Sequence, residues 1–153
     1  MAERLNAGDI CTRSITHAYR NMAVDEAARL MREQHVGSLV VVDETPEGRV
    51  VVGMLTDRDI VTAIVAKVVD PSIVRVGDAM SADVVTARED DSIIDLLGTM
   101  RRKGVRRVPV VDARGALVGL VALDDLLEVV AQELDLVVNA MRNGRKHESV
   151  ARP

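Results

Sequence analysis

Aromatic side chains are almost missing from this 153-residue chain: Tyr19 stands alone, with no Phe and no Trp. Single-stranded nucleic acids are gripped largely by bases stacked on aromatic rings, so that platform is excluded. Cysteine is scarce too. Cys11 on its own can neither close an intrachain disulfide nor supply a multi-thiolate metal site, and it suits a reducing compartment. His17, His35 and His147 are scattered, with no ligand spacing on one helix face, so no metal is expected. Basic charge is not in excess: 20 Lys and Arg against 24 Asp and Glu leave a formal net charge of -4. That balance is wrong for a protein that covers a phosphate backbone. Apolar runs such as Leu39–Val42 and Leu120–Leu123 fall far short of the roughly 18 residues of a membrane helix. The opening MAERLNAGDI has no apolar core of the secretory kind. The expectation is a cytoplasmic protein with neither nucleic acid nor membrane as partner.

What the chain does have is apolar mass and a repeat. At 48% hydrophobic and 29% charged it can bury a core, either as one domain or as two small units sharing one. When Gly8-Asp9 is laid over Gly77-Asp78, Met31-Arg32 falls on Met100-Arg101 without a gap. Val36 then falls on Val105, and Val41-Val42-Asp43 on Val110-Val111-Asp112. Past a loop that is longer in the first copy, Gly53 matches Gly119 and Asp59 matches Asp125. Two copies are too few for a solenoid, which favours a pair packed on itself.

Each copy predicts the order β-α-β-β-α. A short strand is expected at Ser14–Thr16 and again at Val84–Thr86. Val24, Ala27, Ala28 and Met31 then recur at helical spacing, as do Ile93, Leu96, Leu97 and Met100. Asp90 or Asp91 is the expected cap of the second helix. Leu39–Val42 with Val50–Leu55, and Val108–Val111 with Leu117–Val121, read as strand pairs across Gly-bearing turns. Closing helices are expected from near Thr56 and near Ala122, with Asp70-Pro71-Ser72 as the linker. The boundaries are 8–69 for the first repeat, 77–133 for the second and 134–153 for a helical extension with a basic tail. Along the last helix, which runs on into that extension, Leu123, Leu127, Val130, Leu134, Val137 and Met141 alternate steps of four and three. Such a stripe suits either a partner helix or a helix lying on its own domain.

The segment GMLTDRDI (Gly53–Ile60) carries the chemistry. Thr56 and Asp59 have the spacing of a capping box, in which the hydroxyl and the carboxylate satisfy backbone N–H groups reciprocally. The same helix start also suits a phosphate, because its N–H groups and partial positive charge face outward. Thr56 adds a hydroxyl, Arg58 a charge and Asp59 acceptor oxygens for a ribose diol. Both readings stand on these residues alone.

The doubled unit, the strands VGSLVVVD (Val36–Asp43) and VRRVPVVD (Val105–Asp112) and the closing GMLTDRDI resemble a tandem pair of CBS domains. The resemblance covers about Gly8 to Glu133 and is to stand-alone bacterial-type members. It implies an α/β (α+β) fold of two repeats packed through their sheets, and a homodimer. It further implies a regulatory module without enzymatic activity that binds an adenosine-containing nucleotide between the repeats and signals by changing conformation. AMP, ADP or ATP is the expected ligand, while NAD and S-adenosylmethionine share the adenosine half. Carried over by position, Thr56 contacts phosphate and Asp59 the ribose. Val36, Gly37 and Ser38 line the adenine, and backbone around Ser14, Ile15 and Thr16 completes the base pocket. Arg106 or Arg107 neutralises phosphate from the facing repeat. The second copy reads GLVALDDL (Gly119–Leu126), keeping Asp125 but replacing the hydroxyl with Ala122. One strong site at Asp59 and a weak one at Asp125 are expected. The alternative is a homodimerisation scaffold that binds no nucleotide, with a protein partner on the C-terminal helix.

Overall fold

The computed structural model describes residues 4–151, so Arg152 and Pro153 of the expected basic tail lie outside the described residues. In chain order the first half holds α1 (Ala7–Ile10), β1 (His17–Tyr19), α2 (Val24–Gln34), β2 (Ser38–Thr45), β3 (Gly48–Thr56) and α3 (Asp57–Ile60). A π-helical turn, Val61–Val65, continues α3. The second half holds α4 (Val76–Ala79), β4 (Ala87–Arg88), α5 (Ile93–Lys103), β5 (Arg107–Val111), β6 (Leu117–Ala122) and α6 (Leu123–Ala151). Two three-stranded sheets result, ordered β1-β2-β3 and β4-β5-β6. In each the first strand is parallel to the second, which is antiparallel to the third. The α/β architecture expected from the repeat is the one observed.

Local chemistry explains most elements. The β-branched run Val40–Val42 is fully covered by its neighbours, as the central strand of a small sheet must be. Glu26 reaches back to the Ala23 N–H at 3.3 Å to start α2, and Ser92 accepts from the Asp95 N–H at 3.1 Å to start α5. The cap of α5 is therefore Ser92, not Asp90 or Asp91. Asp91 instead takes the Arg88 N–H at 2.9 Å, closing the turn before the helix. Both α2 and α5 end on a left-handed residue, His35 and Gly104 respectively. Irregular pairing recurs at Val41/Val42 and Val110/Val111, matched positions of the repeat.

The opening strands lie three residues later than expected. His17 pairs with Val40 and Ala87 with Val110, so it is Ala18 and Ala87 that enter the cores. Ser14–Thr16 and Val84–Thr86 remain outside the sheets as irregular approaches.

The two units exchange their opening turns. The Ala7 and Gly8 N–H groups donate to the Asp91 and Glu89 carbonyls at 2.9 and 2.8 Å, so α1 completes the second unit. Likewise Val76 and Gly77 donate to Met22 and Arg20 at 2.8 and 2.9 Å, and α4 completes the first. The cores follow suit. Ala7 packs with Leu96, Met100, Val108, Val110, Val121 and Leu126, whereas Val76 packs with Ala18, Ala27, Met31, Leu39 and Leu55. Cys11 lies half-buried against the second core, where burial pushes its thiol pKa up despite the nearby Arg13 guanidinium.

This exchange explains the paired glycines. A Cβ on Gly119 would meet the Cys11 side chain, with Cys11 Cβ 2.8 Å and the Thr12 carbonyl oxygen 3.2 Å away. One on Gly53 would meet Met80 and lie 2.9 Å from the Ser81 carbonyl oxygen. Only hydrogen fits where each swapped segment crosses its sheet. Between them the segments form mutual backbone hydrogen bonds: Thr12 with Leu120 and Met54 with Ser81, at 2.9 to 3.0 Å.

Candidate functional site

Two clefts lie at equivalent places of the repeat. The larger has a volume of about 590 Å³, within the range of small-molecule pockets, roughly 300–1,000 Å³. The smaller, at about 250 Å³, falls below it. Each is built from both units, because the extended segment following each exchanged turn lines the cleft beside the other unit's last strand.

At the larger cleft β3 ends in Thr56, and the capping box expected from sequence is present. The Asp59 N–H donates to Thr56 Oγ1 at 3.1 Å, and the Thr56 N–H donates to Asp59 Oδ2 at 2.9 Å. The box uses one Asp59 oxygen and only the acceptor side of the hydroxyl. Among the described residues, Asp59 Oδ1 has no partner and the Thr56 O–H donates to none. Capping and ligand contact are therefore compatible on the same two side chains. The Asp57 N–H donates to the Gly37 carbonyl at 2.9 Å, drawing the β2 entrance against the helix start. A Cβ at Gly37 would come 3.1 Å from Asp57 Oδ2, so glycine permits this close approach.

Of the residues singled out in sequence, Thr56, Arg58, Asp59, Gly37, Ser38, Arg106 and Arg107 line the larger cleft together. Both arginines do so: Arg106 precedes β5, so the alternation of a strand does not separate it from Arg107. Ile15, Thr16, Val36 and Asp125 line the smaller cleft, with Gly37, Ser38 and Arg107 shared by the two. The exchange of opening turns is the reason. It carries Ser14–Thr16 beside Asp125, away from the Asp59 of its own repeat.

The approach to Asp59 comes instead from Ser81, Asp83, Val84 and Val85, which sequence reasoning missed as ligand-facing residues. The signal was available, since Asp83, Val84 and Val85 occupy the repeat positions of Ser14, Ile15 and Thr16. Asp57 is a further addition from the same reading of the lining. The cleft is electrostatically mixed, lined by Arg58, Arg106 and Arg107 and by Asp57, Asp59 and Asp83. Arg106 makes one long ion pair, 3.8 Å to Asp124, and both side chains are largely in solvent.

The smaller cleft retains half of the box. Asp125 Oδ2 accepts the Ala122 N–H at 3.1 Å, and the Leu123 N–H donates to the Arg106 carbonyl at 2.8 Å. Ala122 supplies no hydroxyl. His35 stands there at the position that Gly104 holds in the larger cleft, adding an imidazole where the other has open space. Among the described residues, no three His, Cys, Asp or Glu side chains gather as a metal site.

The family model described as CBS domain matches the chain twice, at residues 7–66 and 76–132. The chain belongs to the CBS domain family. Over 118 residues it is 36% identical to the CBS domain-containing protein YhcV of Bacillus subtilis, covering 77% of this chain and 80% of that protein. An uncharacterized protein of Methanopyrus kandleri is 34% identical over 125 residues, and here the match spans 82% of this chain but 62% of the relative. Among solved structures, Hypoxic Response Protein I with two coordinated zinc ions aligns with a TM-score of 0.70 and 32% identity, over 80% of this chain and 97% of that one. CBSX2 in complex with AMP aligns with a TM-score of 0.69 and 26% identity, over 83% and 96%. The CBS domain pair of protein MJ0100, in complex with 5'-methylthioadenosine and S-adenosyl-L-methionine, gives 0.70 and 26%, over 84% and 97%. This tandem CBS pair contains no helix long and apolar enough to cross a membrane among its described residues.

Proposed function

We propose that this CBS pair is a regulatory module that binds an adenosine-containing nucleotide, of the AMP, ADP or ATP type, in the cleft of about 590 Å³. One observation carries the reading: the capping box leaves Asp59 Oδ1 and the Thr56 hydroxyl hydrogen unused, both at a cleft large enough for such a ligand. Asp59 accepts from ribose hydroxyls, and Thr56 donates to phosphate. Arg58, Arg106 and Arg107 supply charge. The base lies along Gly37 and Ser38, where the absent Cβ of Gly37 admits a flat group. Val84 and Val85 offer apolar contact on the opposite side. The adenosine compounds held by CBSX2 and the MJ0100 pair support this ligand class for the present chain.

Signalling requires that the ligand bind two arrangements of the repeats with different affinity. Side chains of both repeats line one cleft, so a ligand filling it couples their relative tilt to occupancy. The domain boundaries 8–69 and 77–133 serve for the repeat as a sequence unit, while the folded units trade their first turns. A second reading is favoured by the same capping box, which gives Thr56 and Asp59 a complete structural role in a dimerising scaffold without nucleotide. Calorimetric titration of AMP, ATP, NAD and S-adenosylmethionine separates the two. The sensor reading expects a ligand to bind at one per chain and to be lost in Asp59→Ala. No binding at millimolar concentration leaves the scaffold.

A further inference from the structure

The last helix runs 29 residues, Leu123–Ala151, about 44 Å at 1.5 Å per residue. Only its first two turns touch the body, where Leu126 is fully buried. From Ala131 to Ala151 every residue is exposed. Most helical stability in proteins comes from packing an apolar face rather than from propensity, so a projecting helix that carries such a face has packing to gain. Such a face is present: Leu127, Leu134, Val137 and Met141 are 66%, 60%, 57% and 56% exposed on one heptad stripe, with Val130 between them. The family match stops at residue 132, so this projecting segment lies outside the sensor fold.

Charge on α6 selects the occupant. Every charged residue in its first half is acidic: Asp124, Asp125, Glu128, Glu133 and Asp135. The second half carries Arg142, Arg145 and Lys146 against Glu148. A parallel copy would set acid on acid and base on base. An antiparallel copy sets Asp124, Asp125 and Glu128 near Arg142, Arg145 and Lys146 at each end of the contact, which is favourable there.

We propose that α6 pairs antiparallel with α6 of a second copy of this chain. Facing a positions to d positions, the two-fold axis falls between Asp135 and Leu136. Leu134 then meets Val137 of the second copy, Val130 meets Met141, and Leu127 lies opposite Gly144. Asp124 flanks Arg145 across the seam. Gly144 is open, since a Cβ there would meet nothing within 4 Å.

The test uses the full chain in a Cys11→Ser background, with short bismaleimide cross-linking. An equimolar mixture of Leu127→Cys and Gly144→Cys proteins is expected to give cross-linked dimers, while Leu127→Cys alone gives none. Cross-linking of Leu127→Cys alone, or none in the mixture, overturns the proposal. Separately, Leu134→Asp/Val137→Asp introduced into both proteins of the mixture is expected to abolish the cross-link and to lower helical circular dichroism. An undiminished cross-link overturns the pairing. Neither result depends on whether the cleft binds a nucleotide.

Discussion

Thr56 has a cap role in the structure and a ligand role in the proposal, and one substitution separates their magnitudes. Thr56→Ala removes the oxygen that accepts the Asp59 N–H at 3.1 Å, while the Asp59 carboxylate can still reach the backbone of residue 56 as Asp125 does at Ala122. Loss of the side-chain cap costs about 1 kcal/mol of stability. For a chain of this size that lowers Tm by about 2–4 °C. Loss of a hydrogen bond to phosphate costs about 1.5–3 kcal/mol, or roughly 10- to 150-fold in affinity. Thermal denaturation without ligand reads the first effect, and calorimetry with AMP or ATP reads the second. The repeat provides the reciprocal change. Ala122→Thr restores a cap on α6 and is expected to raise Tm by a similar few degrees. It should add no second equivalent of ligand, because the cleft there holds only about 250 Å³. If Thr56→Ala lowers Tm but leaves affinity untouched, the phosphate contact is wrong and the residue is a cap alone. If Ala122→Thr creates a second tight site, the argument from cleft size fails.

Gly53→Ala would drive a methyl group toward Met80 and to 2.9 Å from the Ser81 carbonyl oxygen; the backbone cannot yield without breaking the Met54–Ser81 pairing. Overpacking of this kind costs about 1–3 kcal/mol, measurable as a lower urea midpoint; an unchanged midpoint would show that the swapped segment is loosely held. A milder effect is expected at low pH from Glu44. Hydrogen bonds from Arg49 at 2.9 Å and Tyr19 at 2.8 Å hold its carboxyl below the usual glutamate range. Its folded pKa is depressed, so its contribution is present above the ordinary glutamate value and fades as pH falls through the lowered one. Acid titration of stability should therefore flatten in Glu44→Gln across that window, and an identical profile in the variant would refute the linkage.

The repeat made the antiparallel strand pairs, α2, α5 and the helix-start box legible, because each rests on local periodicity or on spacing within a few residues. Asp59 and Thr56 could be found from eight residues of sequence. The wall facing them could not. Ser14–Thr16 lie near the start of their own repeat, and nothing local shows that α1 crosses to the other core; the decisive contacts, such as Ala7 with Asp91, join distant parts of the chain. The opening strands shifted for a related reason: position in a parallel pair is set by the partner strand, and Ala18 and Ala87, small enough to pack beneath it, gave weaker apolar signals than Ile15 or Val84. The side to which Arg106 turns was likewise unreadable, since it depends on where β5 begins.

The exchange of opening turns also sets an order of assembly during synthesis. The first unit needs nothing beyond α4 and the Ser81 pairing, so it can close when little more than half the chain has emerged. The second cannot finish until Leu120 and Leu126 arrive, yet the turn it needs, around Ala7, was made first. The earliest residues must wait for almost the latest. A nascent chain halted between the units would hold one complete core and, at its very start, an unclaimed piece of the next.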